Sequence, residues 1–238
     1  MRFAPLLLLA LLGACAPAVS HAPAPSPAAA EVVVLATLHQ LHAQVPGYSF
    51  EDLSRTIEHL RPDVLAVELT PADLASRRDQ QTKQEYPKSI FPLLEKHPDW
   101  RAVALEPAEP EFSRLVGLFR EAGTVLRAEH PEKAEAFGTY QDALYGMLFE
   151  RWTSPESVNS PETDALMESK HRFQEALFGE KEVQAWEGWN QHFLEVILRA
   201  ARENPGRRIV VLVGAEHGYW LRGHLAKEPG VRLGGIEK

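Results

Sequence analysis

Four short apolar runs leave this chain little choice of architecture. They are "EVVVLAT" (31–37), "DVLAVEL" (63–69), "WRAVALEP" (100–107, stopped by Pro107) and the stretch 208–213, which contains "VVLV". None alternates apolar with polar residues, so each reads as a strand covered on both faces rather than one with a wet side. Helical patterns fill the intervals. Strands alternating with helices imply an α/β fold: a mainly parallel sheet flanked by helices. A last strand is expected near "VRLGGI" (231–236).

Local signals place the helices. Ser49 with Asp52 three residues on forms a capping box for a helix over about 50–60. Thr70-Pro71 reads as N-cap and first position of a short helix through Arg77. "KSIFPLLEKH" (88–97) is helical or irregular, interrupted by Pro92. From Pro110 to about Asn204 the pattern is helical, with breaks near His130-Pro131 and over 153–161, and a long helix over about 181–203. This insertion between the third and fourth strands is expected to pack as a cap over one end of the sheet. A short helix should carry Tyr219 to Leu225.

The first residues read as a targeting segment. "MRFAPLLLLALLGAC" has one charge at Arg2, an apolar stretch to Leu12 and small residues before Cys15. The apolar stretch is shorter than the ~18 residues of a spanning helix. "LGAC" (12–15) looks like a bacterial lipobox, which implies cleavage before Cys15 and a lipid on its sulfur. The expected organisation is a signal peptide over 1–14, a lipid-anchored Pro/Ala linker over 15–30 and one α/β domain over 31–238. The lipid makes the membrane surface a partner. Ala16, rather than Asp, after the cysteine resembles sorting to the outer membrane, facing the periplasm, if the cell is Gram-negative. Cys15 is the only cysteine, so the domain has no disulfide, no thiolate metal site and no cysteine nucleophile. The formal net charge is -8, with no basic stripe, and nucleic acid is not an expected partner.

The chemistry gathers where the strands end. His39 follows the first strand, Glu68 ends the second, Glu106 ends the third, and His217 follows the fourth in "VVLVGAEHGYW" (210–220). In a parallel sheet all four lie at the C-terminal edge, where ligands bind. His42 comes three residues after His39, and a single turn over 39–42 would point both rings the same way. Asn190 lies inside the apolar stripe of the long helix (Trp186, Phe193, Leu194, Ile197), where a buried amide needs partners. Glu187 shares part of that face. Together with Glu216 and Tyr219 these residues are candidates for substrate contact or support. Imidazoles with carboxylates suit Zn, Mn, Co or Fe, with metal-bound water as nucleophile. Imidazole acting alone as the base is the other route.

The paired segments "ATLH" (36–39) and "GAEH" (214–217), with "VELT" (67–70), "ALEP" (104–107) and "WEGWN" (186–190), resemble the superfamily of TraB/PrgY, TIKI, erythromycin-esterase-like and ChaN-like proteins. The resemblance implies an α/β fold and a site built from His39, Glu68 and His217, as catalytic groups or metal ligands. TIKI members are extracellular metal-dependent proteases, and erythromycin-esterase-like members are hydrolases that use a histidine. ChaN-like members are lipoproteins linked to haem or iron. The expected activity is therefore an extracytoplasmic hydrolase acting on a peptide or a small-molecule ester. The rival is haem binding, with His217, Tyr219 and His42 as candidate axial ligands.

Overall fold

A computed structural model describes residues 28–236. The signal segment, Cys15 and most of the linker lie outside the described residues. Five strands, β1 (Ala30–Thr37), β2 (Val64–Val67), β3 (Arg101–Ala104), β4 (Arg208–Gly214) and β5 (Val231–Leu233), form one sheet in the order β3-β2-β4-β1-β5. All pairs are parallel. The fold is thus α/β, as the doubly apolar runs require.

Residue alternation along the strands supplies two cores. Val33, Leu35, Leu65, Val67, Val210 and Leu212 face one way, onto Leu53, Ile57 and Leu60 of α1 (Phe50–Leu60). Val32, Val34, Ala66, Ile209, Val211 and Val213 face the other way, onto Phe193 and Ile197 of α8 (Glu180–Glu203) and Leu221 of α9 (Gly218–Leu225). Each of these valine, leucine, isoleucine and phenylalanine side chains, fully buried, contributes about 1.5–3 kcal/mol.

The capping signals are realised. Ser49 accepts from the Asp52 N–H in a complete capping box, and Thr70 caps α2 (Pro71–Ser76) by accepting from Asp73. One π-helical turn, Tyr86–Ile90, runs directly into α3 (Phe91–Lys96). Pro92 does not interrupt this helix. It sits in the first turn of α3, where proline is tolerated. The third strand stops at Ala104, short of the expected Pro107.

The insertion comprises α4 (Glu111–Glu129), α5 (Pro131–Arg151), α6 (Pro155–Val158), α7 (Pro161–Phe178) and α8. It is only partly a cap. α8 lies along a sheet face and belongs to the core, whereas α5 and α7 reach the C-terminal edge through Tyr145 and Lys170.

Candidate functional site

β1 and β4 are neighbours, and Thr37 pairs with Gly214 where both strands end. His39 and His217 therefore emerge side by side. They line one cleft of about 280 Å³, together with Thr37, Tyr145, Trp152 and Glu216. The closeness explains the glycine. A Cβ on Gly214 would stand 2.7 Å from His39 Nε2, so any side chain there would displace the His39 ring. His39 itself has φ 51°, a left-handed backbone that is uncommon outside glycine.

His39 is held by carboxylates. Its Nδ1 lies 2.6 Å from Glu85 Oε1, and its Nε2 lies 3.6 Å from Glu68 Oε1. Glu85 is fully buried and also accepts from the Thr37 hydroxyl at 3.3 Å. Burial alone would lower the basicity of His39. Glu68 and Glu85 outweigh it and hold the imidazole above its usual value.

Glu68 is itself fixed at both oxygens. Oε2 accepts from the Gly214 N–H at 2.6 Å, and Oε1 lies 2.9 Å from Lys83 Nζ. Lys83 also donates to the Glu68 carbonyl at 2.8 Å and to Glu106 Oε1 at 2.7 Å. Burial works against the charge on Glu68, but Lys83, His39, His217 and the Gly214 N–H bring it down to about 2. Burial keeps Glu106 above its usual value despite Lys83.

His217 is held by an amide. Asn190, wholly buried, donates from Nδ2 to the Trp186 carbonyl at 2.9 Å, so its Oδ1 faces His217 Nδ1 at 2.8 Å. That network assigns the proton to Nδ1 and leaves the lone pair on Nε2. The imidazole stacks on Trp186 with centroids 4.6 Å apart. Burial lowers it to about 4, with Glu68 pulling only partly the other way. It is neutral at physiological pH.

The preceding residue, Glu216, is tied to the insertion. Tyr145 donates to its Oε1, and Lys170 donates to its Oε2 at 2.8 Å. His171 Nε2 lies 3.1 Å from the same oxygen but is not aligned for a hydrogen bond. Burial opposes the charge on Glu216, yet these neighbours hold its carboxyl well below the usual range.

Thus His39, Glu68, Glu106, Asn190, Glu216 and His217 come together. Three candidates do not. His42 is buried in the core, accepting from the Leu38 N–H at Nε2 and donating from Nδ1 to the Tyr48 carbonyl. Its ring does not point with that of His39, whose left-handed backbone takes it out of the regular turn. Glu187 accepts from the Trp220 indole, and the Tyr219 hydroxyl accepts from that of Trp186. Both line a separate groove of about 660 Å³ between α7, α8 and α9. Hence His217, Tyr219 and His42 do not face a common space, as axial ligands of one haem would.

The donor set was tested against a divalent ion. Both Glu68 oxygens are committed, one to an ammonium. His39 and His217 each have Nδ1 engaged, which leaves two imidazole Nε2 atoms. Among the described residues no group of three or more His, Cys, Asp or Glu side chains is placed to hold an ion. As arranged, these residues do not fit a metal centre, which needs three or four protein ligands.

Glu85, Lys83, Lys170, His171 and Tyr145 were not foreseen from the sequence. No family model, characterised protein or solved structure matches the chain.

Proposed function

We propose that the domain is a hydrolase of an ester or peptide bond that works by imidazole acid–base catalysis, without a metal. It would act outside the cytoplasm, on a lipid anchor at Cys15, as a member of the TraB/ChaN-like superfamily. One observation carries the reading. Two imidazoles from adjacent strand ends line one cleft, one braced by a carboxylate and the other by an amide.

Environments that drive two titratable groups apart assign acid and base roles. His217 Nε2, neutral and unshared, takes the proton of an attacking water. Asn190 holds the tautomer that this requires and accepts the Nδ1–H throughout. His39, held toward its protonated form by Glu68 and Glu85, faces the oxygen on which negative charge develops at the carbonyl. Collapse of the tetrahedral intermediate expels the leaving group, which takes its proton from His217. Glu68, pinned by Lys83 and the Gly214 N–H, sets the field between the rings. The Lys83 ammonium on Glu68 favours this route over metal-bound water.

The test is hydrolysis of a panel of acetate esters and N-acetyl peptides by the purified protein, with and without a chelator. Turnover should withstand the chelator and vanish in both His39→Ala and His217→Ala while both variants remain folded at the assay temperature, with some loss of stability from the buried Glu85 and Asn190 left without their partners. Turnover that persists in both variants, or that is lost to the chelator and restored by a metal, overturns the reading.

A further inference from the structure

A second cleft of about 280 Å³ opens onto the far side of the same base. Its walls are Val116 and Phe119 of α4 and Trp186 and Trp189 of α8, and His217 is the one residue it shares with the His39 cleft. Phe119 and Phe112 pack at a tilt against Trp189, with centroids 6.1 and 5.5 Å away, so the aromatic wall is braced. The floor offers no free cationic donor. Lys83 spends its three N–H groups on the Glu68 carbonyl, the Glu68 carboxylate and Glu106. Two carboxylates against one ammonium also repel an anion. What the cleft offers is π surface beside the catalytic imidazole.

We infer that this cleft receives a neutral aromatic group flanking the scissile bond, and so selects the substrate. The inference rests on the hydrolase reading for the word substrate, but the binding itself does not depend on turnover. The aromatic group lies against Trp189 and Phe119, while the carbonyl reaches past His217 toward His39. An ester or amide with only a methyl group on that side leaves the wall unpaired and is the poorer substrate.

Two readouts separate the ideas. N-benzylacetamide should shift the indole N–H resonances of Trp186 and Trp189, whereas N-methylacetamide should not. Val116→Trp, which fills the cleft, should weaken N-benzylacetamide at least fivefold. Phe119→Ala, which removes a wall, should also weaken it and serves if the larger side chain unsettles the fold. In turnover, the preference for benzyl acetate over methyl acetate should fall at least fivefold in either variant. Binding of N-benzylacetamide that leaves both indoles unmoved, or that is equal in wild type and both variants, overturns the inference. Binding without hydrolysis of either ester would uphold the cleft and defeat only the hydrolase reading.

Discussion

At the end of β1 the imidazole of His39 leans on a carboxylate, Glu85. At the neighbouring end of β4 the imidazole of His217 leans on an amide, Asn190. The two segments leading to them are alike: an apolar strand, a small residue, two more residues and a histidine. Their chemistry diverges because the anchor of Nδ1 comes from elsewhere in the chain. Glu85 and Glu68 hold one ring toward the cation, and burial against Trp186 and Phe193 holds the other neutral. A strand end fixes where an imidazole stands, and its second-neighbour contact fixes what it can do.

The largest effect expected is loss of either ring. His217→Ala removes the base, and hydrolysis should fall by about 10²–10⁴, the usual weight of a positioned acid or base. His39→Ala should fall comparably. Steady-state rates on the best ester of the panel give the answer, and a loss confined to one variant would break the pairing. Circular dichroism should be unchanged, because both rings border the cleft rather than fill a core.

Exchanging the anchors sharpens the comparison. Glu85→Gln keeps an acceptor for His39 Nδ1 but removes a charge, so the His39 value should fall. Asn190→Asp puts a carboxylate beside His217 and should raise it from about 4. Each change is expected to move its ring by about 1–3 units. The other groups facing His39 are Glu68 and Lys83, and those facing His217 are Glu68, Glu216, His171 and Lys83. They are common to wild type and variants, so the difference isolates the anchor. NMR titration of the imidazole protons reads both, and unchanged midpoints would show that the anchors do not set the roles.

Much of this rim was legible because burial on both faces leaves a plain signature. The runs at 31–37 and 208–213 can only be interior strands, and parallel order then brings their histidines together. Asn190 was legible as a polar residue inside an apolar stripe. Glu187, three residues earlier, shared the periodicity argument but turns toward Trp220 of α9, since three residues fall 60° short of a full helical turn. Glu85 and Lys83 could not be read. They sit in "RRDQQTKQEYPK" (77–88), where charge is everywhere and no period marks an inward face. Their partners lie up to 46 residues away, a relation that only the folded sheet creates.

Gly214 tests the geometric half of the comparison. Gly214→Ala places a methyl group 2.7 Å from His39 Nε2, so that ring must move. The His217–Asn190 contact lies on the other side of the turn and should survive. Overpacking of this kind costs about 1–3 kcal/mol. Urea denaturation should show that loss, with the titration of His39 displaced and that of His217 retained. A variant of full stability and normal His39 titration would mean that the His39 ring does not pack against the end of β4.

The smallest effect concerns His42, which follows the same strand as His39 but has no place in the cleft. Both of its nitrogens serve the backbone, at Leu38 and Tyr48, and burial holds it at about 4. In the unfolded chain its value returns to about 6.5. Between these values the unfolded state binds the extra proton, so stability is full above pH 6.5 and drains away as pH falls toward 4. His217 contributes with the same sign, whereas His39, raised in the folded state, contributes stability below about 6.5 that is lost as pH rises through its folded value. Each fully uncoupled proton is worth about 1.4 kcal/mol per pH unit. His42→Phe should therefore flatten the acid limb of the stability curve by about one proton, while turnover at neutral pH changes less than about twofold because the ring itself does not line the cleft. Stability measured by urea at pH 4.5, 5.5, 6.5 and 7.5 gives the slope. An unchanged acid limb would mean that His42 protonates in the folded state, and a large loss of turnover would place it among the acting histidines, beside its neighbour.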